Sequence, residues 1–338
     1  MKVTRIGIDL AKQVFQVHGV DRKEVAVVRR QLKRSQLLDY LAKFEPCLIG
    51  MEACASAHYW ARELGKLGHT VKLMAPQFVK PYLKGQKNDA NDAQAICEAM
   101  GRPGMRFVSV KSVEQQDIQG LHRVRSELVK QRTAKGNQIR GLLGEYGIVL
   151  SRRLEVLRRG LPDILEDAGN GLSGAFRGLL HGLWRDLLEL GDRVEELDRQ
   201  VKELARSHPD CRRLEGIPGI GPLSATALVG AVGDARQFKN GRQLAAWLGL
   251  VPRQHSSGGK PQLLGISKRG DCYVRTLMIH GARSVQRVCK NKTDERSRWL
   301  SALGARRHGN VAAVALANKN ARIAWAVLAR GESYRPAN

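Results

Sequence analysis

The chain has 338 residues, enough for two domains, and its 43% hydrophobic content provides for packed cores and excludes a disordered protein. Its formal net charge of +25 indicates a large polyanionic partner, with nucleic acid favoured well ahead of an anionic membrane. Residues 201–338 carry 24 basic and 8 acidic groups, a net charge of +16, whereas the 5% aromatic content argues against a protein that works mainly by stacking single-stranded bases.

The first 110 residues predict a mixed α/β sheet domain with the element order βββαβαβα. Apolar or alternating runs indicate the strands, and helical spacing indicates the helices. The predicted strands are 3–10, 13–20, 24–30, 47–52 and 70–75, and the predicted helices are 35–44, 57–67 and one that begins at Asp89.

Four acidic residues stand out by their positions in these elements. Asp9 and Glu52 each end a predicted strand, and Asp89 and Asp92 lie three residues apart at a helix start, so they share one helical face. Strand ends and a helix face can converge at one edge of a sheet. Carboxylate oxygens suit Mg²⁺, and two such ions about 3.5–4 Å apart can clamp a phosphodiester displacement.

Each of the four acids also has an ordinary structural explanation. Asp9 can cap a turn, Glu52 can pair with a lysine, and Asp89 and Asp92 can be the acids that helix dipoles favour. The joint pattern favours a metal site, because Asp9 and Glu52 follow apolar strands, where an unpaired carboxylate is costly. The predicted cofactor is two Mg²⁺ ions, with Mn²⁺ as the open alternative.

Residues 111–206 predict a helical segment with a coiled-coil pattern. The run 183–206 has apolar residues at steps of three or four, which fits a helical hairpin within one chain and a coiled coil between chains equally well. These residues are Leu187, Leu190, Val194, Leu197, Val201 and Leu204.

Residues 207–338 predict a mainly helical domain that opens with a helix-hairpin-helix. In GIPGIG, Gly219 and Gly221 allow a tight turn, and the following helix would present its amides to a DNA phosphate. The alternative is an ordinary Gly/Pro-rich connection between helices.

The most distinctive stretch of this domain is a polar, glycine-rich loop that holds Ser256 and Ser257. Lys260 follows the serines, and Lys268 and Arg269 lie in the next motif, ISKRGD. A serine hydroxyl beside cations can meet a phosphodiester, but the residues alone favour a loop that simply contacts phosphate.

The six cysteines contain no C-x-x-C pair and so no zinc-site spacing, which predicts reduced thiols in a cytoplasmic protein. The N-terminus, interrupted by Asp9 and Lys12, does not read as a signal peptide, and no stretch approaches the ~18 apolar residues of a membrane span. No membrane partner is expected.

The chain as a whole resembles the transposases of the insertion-sequence-110 family, including its 1111 subgroup. The motifs that carry the resemblance, in order, are GIDLAK, MEACASAHYW, KNDANDAQAI, IPGIG, LGLVPRQHSSGGK and GISKRGD. After Glu52, many relatives have glycine and then tyrosine, whereas this chain has ASAHY at 55–59.

The resemblance implies an RNase H-like, RuvC-like catalytic domain at 1–110, an oligomerisation segment at 111–206 and a transposase domain at 207–338. Asp9, Glu52, Asp89 and Asp92 would be its acidic tetrad. A serine that maps best to Ser257, with Ser256 adjacent, would attack DNA and form a 5′-phosphoserine link. The protein would act near the bacterial nucleoid as a dimer or tetramer on donor and target DNA, guided by a structured non-coding RNA.

Two other functions remain open at this point. A RuvC-like, Mg²⁺-dependent nuclease of the junction-resolvase type would hydrolyse DNA with water and need no serine. A non-catalytic nucleic-acid-binding protein would use its carboxylates only for structure; the acidic tetrad argues against it.

Overall fold

The computed structural model describes residues 2–84 and 88–336, and the chain divides into two compact units, Met1–Val113 and Glu114–Asn338. Lys87, the first residue of the KNDANDAQAI motif, lies outside the described residues. Across the described ranges, none of the helices combines the length and the apolar character that crossing a membrane requires.

The first unit contains a six-stranded mixed sheet with the order β3-β2-β1-β4-β5-β6. The central strands β1, β4 and β5 are parallel, and the outer strands are antiparallel to their neighbours. The strands are β1 Arg5–Leu10, β2 Val14–Val20, β3 Ala26–Lys33, β4 Leu48–Glu52, β5 Thr70–Met74 and β6 Phe107–Val108. The buried side chains of the three central strands are apolar, as strands covered on both faces require.

Helices cover both faces of this sheet, because each face carries its own apolar cluster. One cluster joins the sheet to α1 and α2 through residues such as Leu41 and Trp60, and the other joins it to α4 through Ile96 and Met100. The helices are α1 Leu37–Leu41, α2 Ala57–Lys66, α3 Pro76–Val79 and α4 Asp89–Met100. This arrangement is consistent with the predicted RNase H-like domain.

The second unit is almost entirely helical and opens with two long helices joined through α6. Their 32 and 34 residues correspond to roughly 50 Å each at 1.5 Å per residue. Its helices are α5 Val113–Gly144, α6 Leu154–Glu166, α7 Gly174–Ser207, α8 Pro209–Glu215, α9 Pro222–Val232, α10 Gly241–Trp247, α11 Cys272–Val288, α12 Glu295–Arg306 and α13 Gly309–Arg330. One two-stranded hairpin interrupts them, formed by β7 Pro252–Gln254 and β8 Leu263–Ile266.

Most of the heptad-like apolar stripe of α7 is buried or half-buried within this chain. Leu187, Val194 and Val201 are buried, and the intervening leucines are half-buried. Arg125 and Lys135 of α5 form ion pairs with Asp198 and Asp186 of α7. An intermolecular coiled coil therefore stays a prediction.

A buried hydrogen-bond chain ties the long helices to the C-terminal helices. His122 of α5 is 4% exposed, and its ring nitrogens lie 2.9 Å from the Tyr273 hydroxyl and 3.0 Å from Oγ1 of Thr226. Thr226 donates onward to the Pro222 carbonyl, so Nε2 of His122 carries the hydrogen and Nδ1 accepts from Tyr273. The ring is therefore held neutral, and burial, helped by Arg125, lowers the pKa of His122 to about 4.

The strands and helices of the first unit largely follow the sequence prediction, but two short elements, α3 and β6, were not predicted. The pattern did not reveal β6, because two residues carry no measurable periodicity. In the second unit the pattern missed the β7–β8 hairpin, whose exposed and mixed polarity resembles a loop.

Candidate active site

Three of the four predicted carboxylates come together in the first unit. Ligand oxygens of Asp9, Asp89 and Asp92 all lie within 4.8 Å of one another. Asp89 is exposed, and the other two are half-buried. Among the described residues, neither Asp89 nor Asp92 has a basic partner.

The fourth carboxylate, Glu52, lies next to this group but is not part of it. Ile8 of β1 pairs with Met51 of β4 in parallel register, so Asp9 and Glu52 follow on adjacent strands and point to the same face of the sheet. Both carboxylates also lie near the Cys54 thiol. Burial raises the pKa of Cys54 most, and the negative charges of Glu52 and then Asp9 raise it further. Glu52 and Asp9 therefore lie on adjacent strands near the same thiol.

Two glycines let α4 approach the sheet closely enough to assemble this group. Gly7 of β1 pairs directly with Gly50 of β4, and each precedes an acid by two residues on the same face. A Cβ on Gly7 would lie 2.3 Å from the Ala93 carbonyl oxygen of α4. A Cβ on Gly50 would lie 2.7 Å from a methionine sulfur of the same helix.

Sequence reasoning missed the role of these glycines. The signal was present as a repeated pattern, because GID at 7–9 and GME at 50–52 each place a glycine two residues before a strand-terminal acid. A glycine in a strand interior often marks a close approach of another backbone. Here the approaching backbone is α4, which carries the remaining two acids.

The start of α4 holds its acids in a fixed position. The Asn88 side chain caps the helix and accepts a hydrogen bond of 2.9 Å from the Asn91 amide. Asp89 and Asp92 then occupy the first turn, where the partial positive charge of the helix terminus favours carboxylates.

The loop after Glu52 contains one strained residue. Ser56 has φ = +68°, a left-handed conformation that glycine adopts more easily than serine. This position falls in the ASAHY segment that follows Glu52. The segment therefore has a backbone shape that suits glycine, although serine occupies the position.

The donor set fits divalent metal ions. Three carboxylates this close repel one another unless a cation or a proton compensates them, and hard oxygen donors match Mg²⁺ and Mn²⁺. Asp9, Asp89 and Asp92 would hold such ions, with Glu52 beside them.

In the second unit, the predicted serine loop is a β-hairpin with a tight turn. Gly258 and Gly259 have φ of 56° and 75°, and the Lys260 amide donates to the Ser257 carbonyl at 3.1 Å. Positive φ at both central positions is characteristic of a type I′ turn, whose twist suits a hairpin. Ser257 therefore lies at the tip of a defined projection rather than in a flexible loop.

The two serines have different roles in this hairpin. Oγ of Ser256 accepts hydrogen bonds from the Gln262 amide at 3.1 Å and from the Gln254 side chain at 2.9 Å, which join the two strands. Within the described chain, the Ser257 side chain has no hydrogen-bond partner.

The base of the hairpin is clamped by close backbone contacts. The amides of Ser267 and Lys268 donate to the carbonyls of Val251 and Gly249 at 2.8 and 3.2 Å. A Cβ on Gly270 would lie 1.8 Å from the Trp247 carbonyl oxygen, so only glycine fits. Lys268 has φ = +54° and is exposed beside Arg269, so two cations lie at this base.

The predicted helix-hairpin-helix turn lies between α8 and α9 and packs against other helices of its unit. A Cβ on Gly281 of α11 would lie 1.8 Å from the Gly219 carbonyl oxygen. The Pro218 carbonyl accepts from Asn320 at 2.9 Å, while Gly221 is exposed. Gly219 thus has a packing role, and DNA contact by this turn stays a prediction.

Comparison with known proteins assigns both units to transposases. A family described as "Transposase IS116/IS110/IS902 family" matches residues 211–298, and the DEDD transposase family of IS110 matches residues 6–148. A probable family 20 transposase of Pseudomonas aeruginosa is 58% identical over 99% of this chain and 100% of its own length. The transposase for insertion sequence element IS1111A of Coxiella burnetii is 48% identical over 98% of this chain and 91% of its own length. The transposase for insertion sequence element IS1328 of Yersinia enterocolitica is 41% identical, with 98% of each chain covered.

Proposed function

The chain belongs to the IS116/IS110/IS902 family of insertion-sequence transposases, and from that premise we propose that it cuts and joins DNA with a metal-assisted acidic site and a serine nucleophile. The observation that carries this proposal is that one chain contains both a carboxylate cluster and a hairpin that presents Ser257. Ser256 stabilises that hairpin through its own hydrogen bonds. The DEDD family and the acidic cluster both point to divalent metal use.

The acidic site would consist of Asp9, Glu52, Asp89 and Asp92. When bound, Mg²⁺ ions would supply positive charge that offsets the negative charge of the scissile phosphate during strand cleavage. The residues of the chain set where that charge lies. Asp9 is fixed by the sheet, and Asp89 and Asp92 are fixed by α4, so the ligands require little rearrangement.

The serine step would join the protein to DNA. Oγ of Ser257 forms a bond to the scissile phosphorus and loses its proton, while the bond from phosphorus to the 3′ oxygen breaks and that oxygen leaves as a hydroxyl. The product is a 5′-phosphoserine link, which a 3′ hydroxyl of another strand can attack in the reverse sense. The type I′ turn presents Ser257 beside the backbone of Lys260, and no protein partner has to be displaced within the described chain.

The cations around the hairpin would hold the DNA backbone. Lys260 follows the turn, Lys268 and Arg269 lie at its base, and all three are exposed. Contacts from such side chains to phosphate position a strand without reading its sequence. The exposed Gly221 at the start of α9 would add amide contacts of the helix-hairpin-helix type.

The proposed partners are donor DNA, target DNA and a non-coding guide RNA. The family accounts for the DNA, and the net charge of +25 supports more than one polyanion. The long helices α5 and α7 would support assembly into a dimer or tetramer. Assembly would allow the acidic site and the serine to come from different subunits.

The test is a strand-transfer assay with purified protein, element RNA, donor and target DNA and Mg²⁺. Asp9→Asn is expected to lower strand cleavage by more than about 100-fold, because it removes a ligand charge from the metal site. Ser257→Ala is expected to abolish the protein–DNA adduct, whereas Ser256→Ala, the matched control, keeps it. Cleavage that persists in Ser257→Ala without any adduct would contradict the serine step and indicate a simple metal nuclease.

A further inference from the structure

A basic cleft of about 820 Å³ lies in the second unit between the start of α10, α12, α13 and the C-terminal tail. Four cations line it: Arg242, Lys319, Arg322 and Arg335. None of its described lining residues is acidic, and none of the four cations forms an ion pair with a described carboxylate. Uncompensated cations this concentrated indicate an anionic ligand.

The cleft also contains aromatic rings, and one of them differs from the others in how it is held. The Trp325 indole donates to two backbone carbonyls, and the Tyr334 hydroxyl lies 2.6 Å from the Arg296 guanidinium, so both are anchored. Trp299 is half-buried, and its ring face is covered by the Lys319 ammonium, 4.9 Å from the ring centroid. Because the lysine side chain is flexible, its ammonium can move to a phosphate of a ligand. The face of the Trp299 ring is then open to stack with a flat ring of that ligand.

We propose that this cleft binds an unpaired segment of nucleic acid, with one base stacked on Trp299 and the adjacent phosphates held by the surrounding cations. Phosphate-binding side chains around an aromatic platform are the general basis of single-strand recognition. One platform is compatible with the low aromatic content of the chain, because a single ring orients one nucleotide.

The cleft is connected to the serine hairpin through α13. Asn318 lines the cleft, and its amide donates to the Leu250 carbonyl at 3.1 Å. Leu250 immediately precedes the clamped base of the hairpin at Val251 and Ser267. A strand held in the cleft would therefore lie beside the element that presents Ser257.

The inference rests on the family's action on nucleic acid and not on the serine step. A binding assay without metal separates the two, because no cleavage is needed. The probe is a 12-nucleotide strand that carries 2-aminopurine, made as RNA and as DNA with the same sequence, and full-length protein is titrated while anisotropy and 2-aminopurine fluorescence are read.

Trp299→Leu is expected to remove most of the 2-aminopurine quenching and to weaken binding about tenfold, whereas Trp299→Phe, which keeps a flat ring, retains much of both. Arg242→Gln with Lys319→Gln is expected to weaken binding at least tenfold and to reduce the slope of log K against log salt by about 1.4, about 0.7 for each cation. The matched control, Arg287→Gln with Lys290→Gln, removes two exposed cations outside the cleft and is expected to change affinity less than threefold.

Tighter binding of the RNA strand assigns the cleft to a guide RNA, and equal or tighter binding of DNA assigns it to a displaced DNA strand. Full quenching in Trp299→Leu, or an equal loss in the control pair, would overturn the proposal. A 12-base-pair duplex that binds as tightly as the single strands, with the same sensitivity to the cleft variants, would also overturn it. Thermal unfolding of Trp299→Leu checks that this variant is folded. Arg242 is exposed, so the test by charge removal does not depend on the stability of Trp299→Leu.

Discussion

The two predicted centres of this transposase are built in opposite ways. The acidic cluster joins residue 9 to residues 89 and 92 through a buried sheet and a helix that only glycines allow to approach. The serine hairpin is local, since the stretch from Pro252 to Gly265 is exposed and is shaped by one turn and two serine hydrogen bonds. The first centre therefore depends on the core, and the second depends on its turn and its clamped base.

This difference predicts how each centre fails. A change in the core beneath the acids alters stability and ligand geometry together. A change in the hairpin turn alters activity while the helical core of the second unit stays folded.

Gly7→Ala is expected to destabilise the first unit by roughly 3 kcal/mol, near the upper end of overpacking costs, because the new Cβ would lie 2.3 Å from a backbone oxygen of α4. Displacement of α4 also moves Asp89 and Asp92 away from Asp9, so divalent-metal affinity falls. Denaturant unfolding and metal titration measure the two effects. Gly65→Ala in α2, where a Cβ meets nothing within 4 Å, is the matched control and is expected to stabilise by about 0.5–1 kcal/mol. Equal stability and equal metal affinity of the two variants would contradict the close approach of α4 at Gly7.

Protonation of His122 is expected to weaken the second unit in acid. Its pKa is about 4 in the folded chain and about 6.5 when unfolded, so the unfolded state takes up the proton first. The contribution of His122 to the free energy of unfolding is therefore constant above about pH 6.5, falls by at most about 3 kcal/mol towards pH 4 and is level below it. Comparing unfolding of the wild type and His122→Gln across this range isolates the effect.

His58 provides the control in the first unit, because burial, with Lys111 and Arg62, lowers its pKa to about 4 as well. His58→Gln should remove a separate part of the acid dependence and leave the part due to His122 unchanged. If His122→Gln unfolds with the same pH dependence as the wild type, the buried neutral ring is not the cause.

Gly258→Val is expected to destabilise the hairpin by about 1–2 kcal/mol, because a β-branched residue is strained at positive φ. Strand transfer should fall about tenfold, while the thermal unfolding of the protein changes little, because the hairpin is exposed. Gly265→Ala in β8, where a Cβ has open space, should behave like the wild type. A large loss of global stability in Gly258→Val would show that the hairpin is not the local element described here.

Ser56→Gly is expected to stabilise the first unit by about 1 kcal/mol. Ser56 has φ = +68°, and glycine removes the steric penalty of that conformation. Ser56→Ala, which keeps the penalty, is the matched variant for chemical denaturation. If both variants lower stability equally, the serine side chain contributes more than its backbone strain costs.

The sequence predicted most of the first unit because its strands are apolar and its helices periodic. Asp9, Asp89 and Asp92 could be placed in one cluster because strand ends and a helix start are positions that patterns define. Glu52 follows the strand next to Asp9 but is not one of the three clustered acids, and no periodicity encodes that difference. Gly7 and Gly50 were missed because a glycine in a strand has several explanations until the approaching helix is known.

The second unit was less predictable because its functional element is a hairpin among helices. Its exposed strands have no hydrophobic alternation, so the pattern resembled a loop. The two adjacent glycines indicated a loop and not a tight turn, and the different roles of Ser256 and Ser257 depend on hydrogen bonds across that turn. His122 contacts Thr226 and Tyr273, which follow it in the chain by 104 and 151 positions, and no local pattern reveals such contacts.

The most direct test of the central claim is peptide mapping of the protein–DNA adduct by mass spectrometry. Wild-type protein is incubated with RNA and both DNA partners, with Mg²⁺ and with a chelator, then denatured, digested with protease and nuclease, and sequenced. We expect a single nucleotide-modified residue, Ser257, seen with Mg²⁺ and lost with the chelator or in Asp9→Asn. A modification at another residue, or one that forms equally well without metal and with Asp9 replaced, would contradict it.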